Sequence, residues 1–279
     1  MQSRLTGPAA FFSTLAAMTG KELTIMLRYP VEFAASFGQV FLIVASVTLA
    51  GLMFTPRSGE QDSSATTGVV VYGFIIFMFL SDTLWTIGYN VRRDQKQGTL
   101  EQLYLSPASK FANLLSRITV SLVWTGLLCV TSAALMSALI GKLPVYNLPL
   151  GLLVLILTLS GTFGFGFAFA ALTLRIKESA QTLINVIQFT FMVVSAPFFP
   201  FSVLPDWVIA ITRFIPLSHG VDAFRSLMMG LPPGYPELAP IEIEIAVIAV
   251  FGLVMPLVGY GLYRHEEDVA RRAGTLSEY

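Results

Sequence analysis

Six apolar runs of membrane length constrain this chain more than any other feature: Val31–Phe54, Gly68–Asn90, Phe111–Ile140, Leu148–Leu174, Ala180–Ala196 and Ile241–Tyr263. A bilayer core about 30 Å thick needs roughly 20 apolar residues of helix to cross it. Unpaired backbone amides are costly in hydrocarbon, so helices and closed barrels are the only spanning solutions. The runs lack the alternation of a barrel strand, and the reading is an all-α membrane protein with six transmembrane helices. Composition agrees: 54% of the 279 residues are hydrophobic, 12% are charged, and mean hydropathy is +0.72. Soluble domains carry about 25% charged residues.

Before the first run, Phe11–Arg28 is too mixed to span. On a helical wheel Phe12, Ala16, Thr19, Leu23, Met26 and Leu27 share one face and Lys21, Thr24 and Arg28 the other. That predicts an amphipathic helix along the membrane surface. Residues Met1–Ala10 lack the charge, apolar core and small-residue site of a cleavable leader. Thr55–Thr67 reads as a polar loop, and Arg264–Tyr279 as a polar tail.

Charge sets the expected orientation. Of the 17 Lys and Arg residues, only Arg57, Lys142, Arg213 and Arg225 fall on one set of faces. Positive residues favour the cytoplasm, so both termini, the Arg92–Pro107 stretch and Arg175–Ser179 are expected there. Pro197–Pro240 is expected on the far side. In that segment Asp206 is placed to cap a helix over Trp207–Phe214. Ser218 is placed to cap another over His219–Met229, with Asp222 and Arg225 at i, i+3. Both helices are too short to span and too apolar for open water, so they are expected to dip back into the membrane as a re-entrant pair.

Arg92–Pro107 is a polar island between two apolar runs. Thr99-Leu100-Glu101-Gln102 fits a capping box. Leu100, Leu103 and Tyr104 then share a face at i, i+3, i+4, and Pro107 stops the turn or restarts the next helix. A capped helix with an apolar stripe and a basic lead-in is suited to contact with another body.

The order of parts resembles the membrane subunit of type-2 ABC transporters, the permease family that includes drug, lipid and glycan exporters. Gln97-Gly98-Thr99-Leu100-Glu101-Gln102-Leu103-Tyr104-Leu105-Ser106-Pro107 resembles the family's stretch after the second span, with Gln97 where a charged residue is usual. Pro216-Leu217-Ser218-His219-Gly220-Val221-Asp222-Ala223-Phe224-Arg225 resembles the segment leading to the last span. The resemblance implies that residues 98–106 form a coupling helix. Arg93, Gly98, Thr99, Leu100, Glu101, Gln102, Leu103 and Tyr104 would then contact an ABC ATPase. It also implies two copies of that ATPase carrying ATP and Mg, a second permease chain in a homodimer, and residues 11–28 as a connecting helix beside a single permease unit over 31–263. The second and fifth spans would line the substrate path through Phe77, Phe79, Asp82, Trp85, Asn185, Gln188, Phe189 and Met192.

The residues themselves supply the need for a partner. The sequence holds no Gly-x-x-x-x-Gly-Lys-Ser/Thr loop to cradle ATP phosphates. His219 and His265 are expected on opposite sides of the membrane, which excludes a shared metal. A net charge of +0 gives no bulk attraction to nucleic acid. A secondary transporter would be expected to show more intramembrane charge or an internal repeat, and an embedded enzyme a cluster of reactive groups. Asp82 has two readings: it lines a polar path, or it pins spans together by pairing with a cation such as Arg117. Asn185 and Gln188 suit interhelical hydrogen bonding as well as cargo contact. Cys129, the one cysteine, reads as a buried structural thiol. The cargo reading is an amphipathic drug or lipid, with lipid-linked polysaccharide as the alternative.

Overall fold

The computed structural model describes residues 8–54, 60–96, 110–140, 143–176 and 180–273. Nine α-helices lie within them: α1 (Pro8–Arg28), α2 (Pro30–Phe54), α3 (Glu60–Lys96), α4 (Lys110–Ile140), α5 (Leu148–Ile176), α6 (Ala180–Val194), α7 (Asp206–Thr212), α8 (Pro216–Met229) and α9 (Ile241–Ala273). A 3-10 turn covers Phe201–Val203. The expected coupling helix at 98–106 lies outside the described residues.

The expectation of six spanning helices is corrected. Among the described residues four helices are long and apolar enough to cross a membrane, over Thr67–Leu84, Ile118–Leu139, Leu148–Leu172 and Ile241–Glu266. The first and fifth expected spans carry shorter apolar stretches, Ala34–Leu49 and Asn185–Val194. In α6 the cause is local. Proline disfavours helical backbone in the residue before it. Ala196, just ahead of Pro197, takes a φ of 43°, and the 15-residue helix stops at Val194. In α2 the 25-residue helix forms, and Ala34–Leu49 is the apolar stretch within it. Two further boundaries differ. Half of the expected Thr55–Thr67 loop belongs to α3, which has no proline between Glu60 and Lys96 to break it. The expected tail beyond Tyr263 continues as helix to Ala273.

The tightest helix pair is α5 with α9. Small residues let their backbones approach closely. A Cβ on Gly164 would lie 2.2 Å from the Met255 carbonyl carbon, and one on Gly259 would lie 1.9 Å from the Gly164 oxygen. The glycines of the Gly161–Gly166 stretch therefore include at least Gly161 and Gly164 at a contact within the chain, where Gly161 faces Phe251. α1 packs on α4, leaving Phe12 and Leu23 exposed. Cys129 is a free, buried thiol.

α7 and α8 form a hairpin whose second arm lies inside the bundle. α8 is sheathed by α3, α5 and α9, and every residue from Leu217 to Met229 is buried. Its C-terminal end lies at the start of α3 and α5: Met229 touches Gly68, and Met228 touches Gly151. The amides of Tyr146 and Asn147, in the α4–α5 link, donate to the carbonyls of Met228 and Leu227. Gly230 ends the helix at φ 82°, a left-handed conformation natural to glycine. Its amide donates to Leu227 O, and the Leu231 amide to Ser226 O. The expected caps are not used. Neither α7 nor α8 has a side-chain cap; Pro205 and Ile215 occupy the cap positions, and Pro216 opens α8. Ser218 lies inside the helix, its hydroxyl facing Ser195 Oγ at 3.4 Å.

Candidate functional site

Two polar groupings sit within the apolar bundle. The first is on α3. Asp82 Oδ2 accepts from Ser121 Oγ at 2.6 Å and Thr125 Oγ1 at 2.8 Å, both on α4. Thr86 Oγ1 lies 2.9 Å from Ser121 Oγ. A carboxylate in hydrocarbon needs donors, and the four-residue spacing of Ser121 and Thr125 delivers two from one helix face. In the same helix Ser81 accepts from Gln188 Nε2 of α6. Asp82 and Gln188 thus tie α3 to its two neighbours through hydroxyls. The Arg117 side chain lies outside the described residues.

The other expected path residues separate. Phe77 and Phe79 are buried; Phe77 packs near Phe198 with ring centroids 5.9 Å apart, and Phe79 lies over Gly126. Asn185 and Met192 are half-buried. Phe189 is 62% exposed and continues an exposed apolar stripe of α6 with Val186 and Val193. Trp85 and Arg93 lie on α3, with side chains outside the described residues. Gly98, Thr99, Leu100, Glu101, Gln102, Leu103 and Tyr104 lie outside them altogether.

The second grouping was not anticipated from the sequence. It is built around α8, where His219, Asp222 and Arg225 are all buried, together with Glu244 from the first turn of α9. The expected i, i+3 pairing of Asp222 with Arg225 is replaced by longer-range bonds, although the two charges still interact. Asp222 Oδ2 accepts the amides of Glu237 and Leu238, each at 2.7 Å. Arg225 donates to the carbonyls of Ala196 at 2.8 Å and Phe199 at 3.4 Å. It reaches them because Gly73 leaves room: a Cβ there would meet Pro197 O at 2.2 Å and the Arg225 Nη2 at 2.6 Å. Glu237 in turn accepts the amides of Phe201 and Ser202, at the start of the 3-10 turn. Tyr235, in the same loop, has its hydroxyl pushed up to about 12 by burial.

His219 and the two acids complete the cluster. A carbonyl only accepts, so the 2.9 Å contact of His219 Nε2 with Arg213 O puts a proton on Nε2. Nδ1 then faces Glu244 Oε1 at 3.5 Å. Glu244 also meets Asp222. With both acids ionised, Asp222 Oδ1 and the Glu244 oxygens have no donor. Two carboxyls in contact hold one proton between them, which supplies the missing bond. Glu244 was legible only as an acid just inside an apolar run, and its partners lie 22 to 25 positions upstream, beyond any helical spacing.

Among the described residues no group of three or more His, Cys, Asp or Glu side chains is arranged to hold a metal. The apolar side of the hairpin borders a partly open cavity of about 210 Å³ lined by residues such as Leu84, Phe165, Phe191, Leu217 and Phe251. The bundle thus offers hydrogen-bonded pins and an apolar hollow. The family model described as ABC-2 family transporter protein matches residues 45–260. The chain belongs to the ABC-2 transporter family. No curated protein matches it. Membership agrees with the resemblance read from Gln97–Pro107 and Pro216–Arg225, and it makes this ABC-2 protein a multi-pass membrane permease. It also implies coupling to a separate ATPase subunit.

Proposed function

We propose that this ABC-2 protein is the membrane subunit of an ATP-driven exporter that moves an amphipathic drug or lipid. The family match over residues 45–260 carries the reading, and the apolar cavity beside the α7–α8 hairpin supports the cargo class. The cargo passes between two copies of the chain, past α3, which carries Phe77, Phe79, Asp82 and Trp85, and past the face of α6 that holds Asn185, Gln188, Phe189 and Met192. The exposed stripe of Val186, Phe189 and Val193 favours α6 as a surface that meets cargo or the second copy. The whole chain acts as one transmembrane unit with both termini in the cytoplasm, as its Lys and Arg distribution suggests.

Residues 98–106 form the coupling segment in this reading. Leu100, Leu103 and Tyr104 make the apolar contact with the ATPase, and Arg93 and Glu101 the polar one; Gly98, Thr99 and Gln102 set and cap the turn. ATP and Mg stay on the ATPase, two copies of which serve the permease pair. The experiment is reconstitution of the chain with its ATPase in proteoliposomes. Replacing Leu103 and Glu101 together by alanine should abolish cargo-stimulated ATP hydrolysis while the chain still inserts. Unchanged stimulation would remove the coupling assignment, and cargo movement by the chain alone under an ion gradient would remove the exporter reading.

A further inference from the structure

The turn between α7 and α8 places an exposed cation far along the length of the bundle. α8 runs antiparallel to α3: Met229 lies at Gly68, Phe224 stacks edge-on to Tyr72, Arg225 lies at Gly73, and Leu217 meets Leu80 and Leu84. At about 1.5 Å per residue, the turn before Leu217 lies roughly 20 to 25 Å along α3 from Thr67. That is well past the middle of a hydrocarbon layer about 30 Å thick. Arg213 stands at this turn. It is exposed, and among the described residues no carboxylate lies within 4 Å of it. Its own backbone is fixed: the amide donates to Ile209 O and the carbonyl accepts from His219. Beside it Phe214 is 87% exposed. An unpaired cation at this depth is expensive and calls for an anionic partner.

The same turn closes the apolar cavity. Phe214, Ile215, Pro216 and Leu217 form its wall against Leu84 of α3 and Phe251 of α9. Beyond Pro216 and Phe251 a second apolar hollow follows α9 from Ala246 to Met255, about 14 Å of helix. Apolar cavities of about 150 Å³ stay dry and take up hydrocarbon. A cation next in sequence to the wall of a hydrocarbon-sized hollow is the complement of a molecule with an acidic head and an apolar tail.

We propose that Arg213 and the adjoining cavity bind an anionic lipid drawn from the bilayer, its acidic headgroup on the guanidinium and its acyl chain between α8 and α9. The proposal rests on the exporter reading only in calling this lipid the cargo. A charge-assisted contact confers headgroup preference, while the apolar wall accepts tails by area alone.

The test uses the full chain in nanodiscs of phosphatidylcholine, doped with a phosphatidylglycerol probe bearing a photoactivatable acyl chain. A phosphatidylcholine probe with the same chain is the comparison. Crosslinked peptides are located by mass spectrometry. The phosphatidylglycerol probe should label peptides around Phe214–Leu217 and Val250–Met255 about tenfold more than its neutral counterpart, the scale of one charge-assisted pair. R213Q should erase that preference, and R213K should keep most of it. Equal labelling by the two probes in the unmodified chain would overturn the proposal, as would a preference that survives R213Q. So would labelling spread evenly to the exposed face of α4 at Val130 and Leu139, the mark of bulk lipid. Labelling needs no ATPase. Its failure with export intact removes this site alone, and failed export with labelling intact removes the exporter reading alone.

Discussion

Ser160 donates its hydroxyl to the backbone carbonyl of Gly252 at 2.7 Å, and that carbonyl is the one Pro256 leaves without a helical donor. Proline lacks the amide that would bond four residues back. In hydrocarbon the orphaned oxygen needs another partner. α5 supplies it from outside the helix, next to the close contact of Gly164 with Met255 and Pro256. The proline in α9 and the serine in α5 are two halves of one device.

The device predicts a coupled pair of substitutions. Ser160→Ala should destabilise the chain by about 1 kcal/mol, the scale of an interhelical hydrogen bond in a membrane. Pro256→Ala returns an amide to Gly252, so in that background Ser160→Ala should cost close to nothing. Thermal unfolding of the four proteins in one detergent forms the cycle. Equal costs in both backgrounds would show that Ser160 acts by some other route.

Gly73→Ala should be among the most damaging single-methyl changes in the chain. The added carbon would meet the Pro197 backbone oxygen and the Arg225 guanidinium at once, and neither yields easily. Overpacking of this kind costs about 1–3 kcal/mol. Gly261→Ala adds the same methyl where nothing lies within 4 Å, and should be silent or slightly stabilising through helix propensity. Detergent-resistant folded fraction, measured for both, separates a steric effect from a general intolerance of side chains.

The acid pair predicts an asymmetry between its members. Asp222→Ala strips the Glu237 and Leu238 amides of their acceptor, at about 1–3 kcal/mol for each buried donor left unpaired. Asp222→Asn keeps an oxygen for them and should cost less. Glu244→Gln replaces the shared proton with an amide N–H that points at the same Asp222 oxygen, and should be nearly neutral. Glu244→Ala should lower stability clearly. Were Glu244→Gln as damaging as Glu244→Ala, the carboxyl would be needed as a charge and the shared proton would be wrong. Unfolding midpoints in detergent for all four variants settle the order.

The sequence made some of this plain and hid the rest for identifiable reasons. Helices over Trp207–Phe214 and His219–Met229 were expected from caps at Asp206 and Ser218 that the fold does not use, yet α7 and α8 lie close to those bounds. Family membership was legible in short motifs. The length of α6 was not, because its end is set by one proline acting on Ala196, and hydropathy alone runs on through it. Asp222 and Arg225 looked like partners because they are helical neighbours, yet each is drawn to backbone groups that tertiary folding brings near. The same blindness to distance hid Glu244, and it made Ser160 one more serine in an apolar run. Asp82, by contrast, advertised itself as an intramembrane acid; what the sequence left open was its partner, and the structure answers with Ser121 and Thr125.

Burial of α8 on every side has a consequence for how the chain is made. Arg225 finds its acceptors in Ala196 and Phe199, which leave the ribosome earlier. Asp222 and His219 depend on Glu237, Leu238 and Glu244, which are still inside the ribosome when α8 emerges. A helix carrying these side chains has no stable place in the lipid until the start of α9 arrives. The hairpin must therefore wait at the membrane surface or in the insertion machinery, and α9, translated after it, is the helix that lets it in.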